Sequence, residues 1–119
     1  MTLEETGSKF RLMQEKDLAG VMEINDLVYK TTWSASFLRQ QLRQKESRLN
    51  IVFELQEKIL GHGALMKVVD EAHIISLTVH PSHHKTGIGS SLLTVLCQEA
   101  VKMGMKSMTL EVRASNDPA

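Results

Sequence analysis

The residues with the most chemistry to offer run from Ser76 to Leu93, SLTVHPSHHKTGIGSSLL. A β-rich apolar segment, Ile74 to Val79, passes through a His/Pro/Ser turn into Gly87-Ile88-Gly89, where an apolar-periodic helix begins. A strand, a glycine loop and a helix N-terminus together make an anion site. The first N–H groups of a helix have no carbonyl within it to bond, and the helix dipole adds partial positive charge there. Glycine lets the backbone approach a pyrophosphate with no Cβ between them. An ordinary turn capping a helix carries the same pattern, so its context must decide.

Other side chains compete for attention. His80, His83 and His84 share one Pro/Ser turn, but no partner with zinc-like spacing stands elsewhere. They read as loop histidines, and no metal is expected. Cys97, the sole cysteine, could carry an acyl group, yet four residues after Leu93 in a helix it reads as core. Trp33 reads either as a plug between two helices or as the lining of a substrate groove, because large amphipathic rings do well at interfaces. Arg39, Arg43, Lys45 and Arg48 against Glu46 form a basic stripe that could meet RNA, a ribosome surface or an acidic peptide. A solvated helix face accounts for so short a run more simply.

These residues need elements to position them. Lys9 to Gln14 alternates as a first strand, and Asp17 can cap a helix carrying Leu18, Val21, Met22, Ile24 and Val28. Ser34 is the expected N-cap of a second helix reaching about Ser47. Leu49 to Gln56, Lys58 to Val69 and His73 to Val79 read as an antiparallel meander, with a tight hairpin at Gln56-Glu57-Lys58. Gly61 and Gly63 mark a bulge or a close backbone approach in its middle strand. A helix from Gly87 to about Met103 turns Ile88, Leu92, Leu93, Leu96, Ala100 and Met103 to the core, with Gly104 at its C-terminal cap. Lys106 to Val112 is a last strand, parallel to the one before the helix.

Length and charge bound the rest. At 119 residues the chain reads as one domain, residues 1–119. Lys plus Arg and Asp plus Glu both number 14, so no global field draws it to nucleic acid or to a membrane. One cysteine allows no internal disulfide and suits a reducing compartment. No apolar run is long enough to span a bilayer, and MTLEETGSKF is unlike a secretory signal, so a cytoplasmic setting is expected.

A Walker loop needs Lys-Ser/Thr after its last glycine, where Ser90-Ser91 stand; a Rossmann fingerprint needs a small residue where Leu92 stands. His84-Lys85-Thr86-Gly87-Ile88-Gly89 resembles instead the pyrophosphate loop of the GNAT N-acetyltransferases, Gln/Arg-x-x-Gly-x-Gly/Ala, at every position but the first. Leu110-Glu111-Val112-Arg113-Ala114-Ser115-Asn116 resembles the LEVRxSN segment of the RimI-type acetyltransferases, which acetylate the N-terminal alanine of a small-subunit ribosomal protein. Thr32-Trp33-Ser34 and Leu77-Thr78-Val79-His80-Pro81 are similar to the family's Pro-Trp-Ser and I-A-V-x-P segments, and the resemblance spans roughly residues 8–119.

The resemblance implies a mixed-sheet α/β fold of order β-α-α-β-β-β-α-β, lacking the family's C-terminal helix and last two strands. It implies acetyl-CoA as cosubstrate and a protein N-terminus as acceptor. Leu77, Thr78 and Val79 would bond the pantetheine through their backbone, on a strand that in the family is kinked and parts from the next. Lys85, Thr86, Gly87, Ile88, Gly89 and Ser90 would wrap the pyrophosphate. Asn116 would contact the cofactor near the thioester, and Glu111 matches the general base. Without the resemblance Glu111 would read as a solvent-facing strand residue. His84 stands where Gln or Arg is usual, which should weaken cofactor affinity without abolishing it.

The family pattern continues through a tyrosine that serves as general acid, whereas this sequence stops at Ala119. Tyr29 matches no catalytic position and reads as structural. A fragment, or a chain that another completes, is therefore expected, with an uncovered sheet edge open to strand exchange or self-association. The rival to an enzyme is a fragment that binds coenzyme A or a partner without turnover. An RNA-binding module using Arg39, Arg43 and Arg48 is a third reading.

Overall fold

The computed structural model describes residues 8–29, 34–44, 46–83 and 87–110. In chain order these form β1 (Ser8–Leu12), a 3-10 turn (Glu15–Asp17), α1 (Leu18–Tyr29), α2 (Ala35–Arg43), β2 (Arg48–Leu55), β3 (Lys58–Val68), β4 (Glu71–Val79), a second 3-10 turn (Pro81–His83), α3 (Ile88–Lys102) and β5 (Ser107–Leu110). The sheet runs β1-β2-β3-β4-β5, antiparallel until β5 joins β4 in parallel. The β-α-α-β-β-β-α-β order expected from the sequence is the order found.

Local chemistry explains most boundaries. The Ser34 side chain accepts a hydrogen bond from the Phe37 N–H at 3.0 Å and so caps α2. That helix ends at Arg43, short of Ser47, because the Arg48 N–H turns back to the Gln44 carbonyl at 2.8 Å. Gln56 and Glu57 form the two-residue hairpin turn, both with positive φ, and this matches the twist of the strands they join. Asp17 does not cap α1. Gln14 precedes the 3-10 turn, and Asp17 is buried, accepting from the Gln14 N–H at 2.8 Å and from two Arg11 nitrogens at 2.7 and 2.8 Å. Burial pushes the Asp17 carboxyl up, but hydrogen bonds from Arg11 and Gln14, with the Arg11 and Lys16 charges, outweigh it and hold it below its usual range. Arg11 also donates to Glu54 at 2.8 Å, tying β1 to β2.

Each face of the sheet has its own core. On one, Ile51, Phe53, Leu65 and Ile74 meet Ile88, Leu92, Leu96 and Ala100 of α3. On the other, Val52 meets Val21 of α1 and Leu38 of α2. Cys97 was expected in the core and is exposed: the buried stripe of α3 runs 88, 92, 96, 100, and Cys97 lies one position past it. Its Sγ lies 3.4 Å from the Met108 Sδ of β5.

Gly61 and Gly63 set how close α3 can come. A Cβ on Gly61 would lie 2.9 Å from Leu92 Cδ1 and 3.3 Å from both Ile88 Cγ2 and Phe53 Cβ; one on Gly63 would lie 2.9 Å from Leu96 Cδ1. The sequence reading of a bulge or a close approach holds on both counts, since the β2–β3 register also slips between Phe53 and Glu54, beside Leu60. A Gly61→Val substitution should lower stability by about 1–3 kcal/mol through overpacking, read as a lower urea midpoint with an unchanged slope.

Candidate active site

The end of β4 and the start of α3 meet at one end of the sheet. β4 pairs with β3 along its length, but its register slips between Ala64 and Leu65: Ser76 faces Ala64 and Ile74 faces Leu65, leaving Ile75 as the extra residue. This is the kink that the family resemblance implies. It reverses the phase of the strand, so that Leu77 and Val79 pack against the α3-side core while Ser76 and Thr78 are buried on the opposite face. Among the described residues, the parallel pairing of β4 with β5 runs from Glu71↔Ser107 to Ile74↔Leu110.

Gly87 stands at the N-cap of α3 with φ +90°, a left-handed conformation that suits glycine, and none of the described residues lies within 4 Å of where its Cβ would be. The first helical bond is from the Ser91 N–H to the Gly87 carbonyl at 3.0 Å, so the N–H groups of Ile88, Gly89 and Ser90 precede it. Gly89 sits against β4, where a Cβ would be 3.6 Å from Val79 Cγ2. The structure thus brings Leu77, Thr78 and Val79 together with Gly87, Ile88, Gly89 and Ser90, and an open glycine ahead of a long helix suits an anionic pyrophosphate. Trp33, Lys85, Thr86, Glu111 and Asn116, and with them His84, lie outside the described residues.

The turn between β4 and α3 holds itself together. Ser82 Oγ lies 2.8 Å from His80 Nδ1 and 2.9 Å from His83 Nδ1, and the two imidazoles meet edge to face. Among the described residues no group of three or more His, Cys, Asp or Glu is placed to hold a metal ion. None of the described helices is long and apolar enough to cross a membrane.

Comparison with known proteins decides the class. The profile of the Acetyltransferase (GNAT) family matches residues 18–119. The chain belongs to that family. As an N-acetyltransferase by class, it is 30% identical over 107 residues to the [ribosomal protein bS18]-alanine N-acetyltransferase of Escherichia coli K12, covering 90% of this chain and 71% of that protein. The corresponding Haemophilus ducreyi enzyme is 29% identical over 102 residues, 86% of this chain and 69% of its own. The crystal structure of the ribosomal-protein-S18-alanine N-acetyltransferase from Escherichia coli superposes with a TM-score of 0.79 at 28% identity, over 92% of this chain and 70% of that one. An N-acetyltransferase from Thermoplasma acidophilum, in complex with coenzyme A, shares the fold with a TM-score of 0.80 at 17% identity, over 92% and 82% of the two chains. The expected acyl-CoA N-acyltransferase fold is the one found.

One feature of this acetyltransferase went unseen in its sequence. Behind Leu77 and Val79 lies a buried polar row: His62 Nε2 is 3.0 Å from Asn50 Oδ1, His62 Nδ1 is 3.3 Å from Ser76 Oγ, and Ser76 Oγ is 3.4 Å from Thr78 Oγ1. The distances fix a tautomer. Asn50 Oδ1 can only accept, so Nε2 carries the proton and Nδ1 accepts from Ser76. The polar positions Asn50, His62 and Ser76 recurring within three neighbouring strands were the available signal, but only the strand register aligns them. Burial pushes the His62 imidazole down from the ordinary 6.5 to about 4.

Because the folded protein holds His62 neutral while the unfolded chain takes up a proton near pH 6.5, stability should be complete above that value and erode as pH falls toward 4. The loss from this residue should approach about 3 kcal/mol. Urea unfolding across that range checks it, and His62→Gln should flatten the part of the slope that His62 causes.

Proposed function

We propose that this acetyltransferase moves the acetyl group of acetyl-CoA to the α-amine of a protein N-terminal alanine, by direct attack in a ternary complex. The 30% identity with the bS18-alanine enzyme, over 90% of this chain, carries the reading of the acceptor. The LEVRASN stretch from Leu110 to Asn116 supports it.

Acetyl-CoA supplies the activated acyl group; the chain supplies position and proton transfer. Lys85, Thr86 and the segment Gly87 to Ser90 hold the pyrophosphate, with backbone N–H groups and the α3 dipole facing its charge. Leu77, Thr78 and Val79 align the pantetheine, and a backbone N–H among them is the donor for the oxygen that gains charge as the amine attacks. Glu111 takes the amine proton, directly or through one water, the C–S bond breaks as the amide C–N bond forms so that coenzyme A leaves as its thiolate, and Asn116 steadies the cofactor near the thioester. An α-amine, with a pKa of about 7.7–8.0, gives up that proton more readily than a lysine near 10.4, which favours a protein N-terminus as acceptor. Trp33 lines the acceptor groove. A cytoplasmic setting accords with a newly made or ribosomal acceptor.

Calorimetric titration with acetyl-CoA should show saturable binding that Gly87→Glu abolishes, because a carboxylate there opposes the pyrophosphate. Glu111→Gln should keep the binding and lower kcat/KM toward an alanine-terminated peptide by about 10²–10⁴-fold. Binding without any turnover by the unaltered chain would favour a coenzyme A-binding protein over an enzyme. No binding by the folded chain would refute both.

A further inference from the structure

A second site lies at the other end of the sheet. Arg48 pairs with Met66, and Met66 with His73, so the start of β2 sits by the start of β4, far from Val79 and the N-terminus of α3. There, between α2 and the start of β2, is a groove of about 380 Å³, floored by Met13, Leu42 and Leu49 and edged by Arg48. A hollow of about 390 Å³ continues from it past Arg43, sharing Met13 and Leu42.

Two observations give this groove the features of a binding site. Gln41, which lines it, is only 4% exposed, and its Oε1 is buried with no hydrogen-bond partner among the described residues. A buried carbonyl oxygen left so costs about 1–3 kcal/mol, which a donor arriving in the groove would recover. The guanidinium groups of Arg43 and Arg48 likewise have no ion pair or hydrogen bond among the described residues, whereas that of Arg39 beside them is taken by Glu15 at 2.9 Å. Two guanidinium groups of the basic stripe seen in the sequence thus border this surface, Arg48 at the groove and Arg43 at the hollow that continues from it, where Glu15 and Arg39 also stand.

We propose that this groove binds an acidic peptide segment of a partner protein. Carboxylates of the segment meet Arg43 and Arg48, a peptide N–H donates to Gln41 Oε1 once that buried amide turns into the groove, and an aliphatic side chain between them covers Leu42 and Leu49. The volume is that of a site for an organic ligand rather than one inorganic ion. Nucleic acid fits less well, because among the described residues no aromatic ring lines the groove for bases to stack on, and the chain as a whole is neutral.

A short fluorescent peptide of alternating glutamate and leucine, titrated into the full chain and followed by anisotropy, should bind saturably and more weakly as salt rises. The Arg43→Glu/Arg48→Glu double variant should lose at least about tenfold in affinity, and its unchanged thermal unfolding would separate that loss from misfolding. Gln41→Leu should weaken the peptide while leaving its salt dependence intact. Equal binding by the double variant, no saturable binding by the folded chain, or tighter binding of an oligoribonucleotide would each overturn the proposal.

Discussion

The contact between α3 and β3 sets the geometry of the whole site, and it depends on two missing side chains. At Gly61 and Gly63 the methyl ends of Leu92 and Leu96 come to where a Cβ would stand. Helix and sheet therefore touch almost backbone to side-chain tip. This depth fixes where the N-terminus of α3 emerges relative to β4, so that Gly89 lies against Val79. A helix held farther out would carry its first N–H groups away from the strand end. Packing of apolar residues in the middle of α3 thus determines where its polar end is presented.

The opposite face of the sheet follows a different logic. On the α1 side of the sheet the chain buries four polar side chains, Asn50, His62, Ser76 and Thr78. The row is tolerated because its members meet one another. Its place also matters. Ser76 and Thr78 flank Leu77 on the strand, just past the bulge at Ile75. The polar row and the apolar α3-side core therefore grip alternate residues of one short segment from its two sides.

Features that depend on neighbours in sequence were legible without coordinates. The Ser34 cap, the hairpin at Gln56 and Glu57, the limits of α3 and the role of Gly61 and Gly63 all follow from residue type and spacing. Features that depend on pairing across the fold were not. Asp17 looks like a cap until β1 brings Arg11 beside it. His62 looks like an interruption between two glycines until β2 and β4 flank it with Asn50 and Ser76. Cys97 illustrates a subtler limit: one step of 100° around a helix separates core from solvent, and apolar neighbours alone did not resolve it. Of the residues proposed for the site, Leu77 to Val79 and Gly87 to Ser90 lie together at one end of the sheet.

The two-residue turns at either end of β3 bear on how the fold assembles. β2 is joined to β3, and β3 to β4, through two residues each, Gln56-Glu57 and Val69-Asp70, so their pairing closes very small loops. β1 must instead find β2 across both helices, and β5 must find β4 across α3. Loop entropy therefore lets the three-stranded meander form first, as a template on which the two outer strands are laid later. His62 sits in the middle strand of that template, so Asn50 and Ser76, which its ring meets, arrive with the earliest strands.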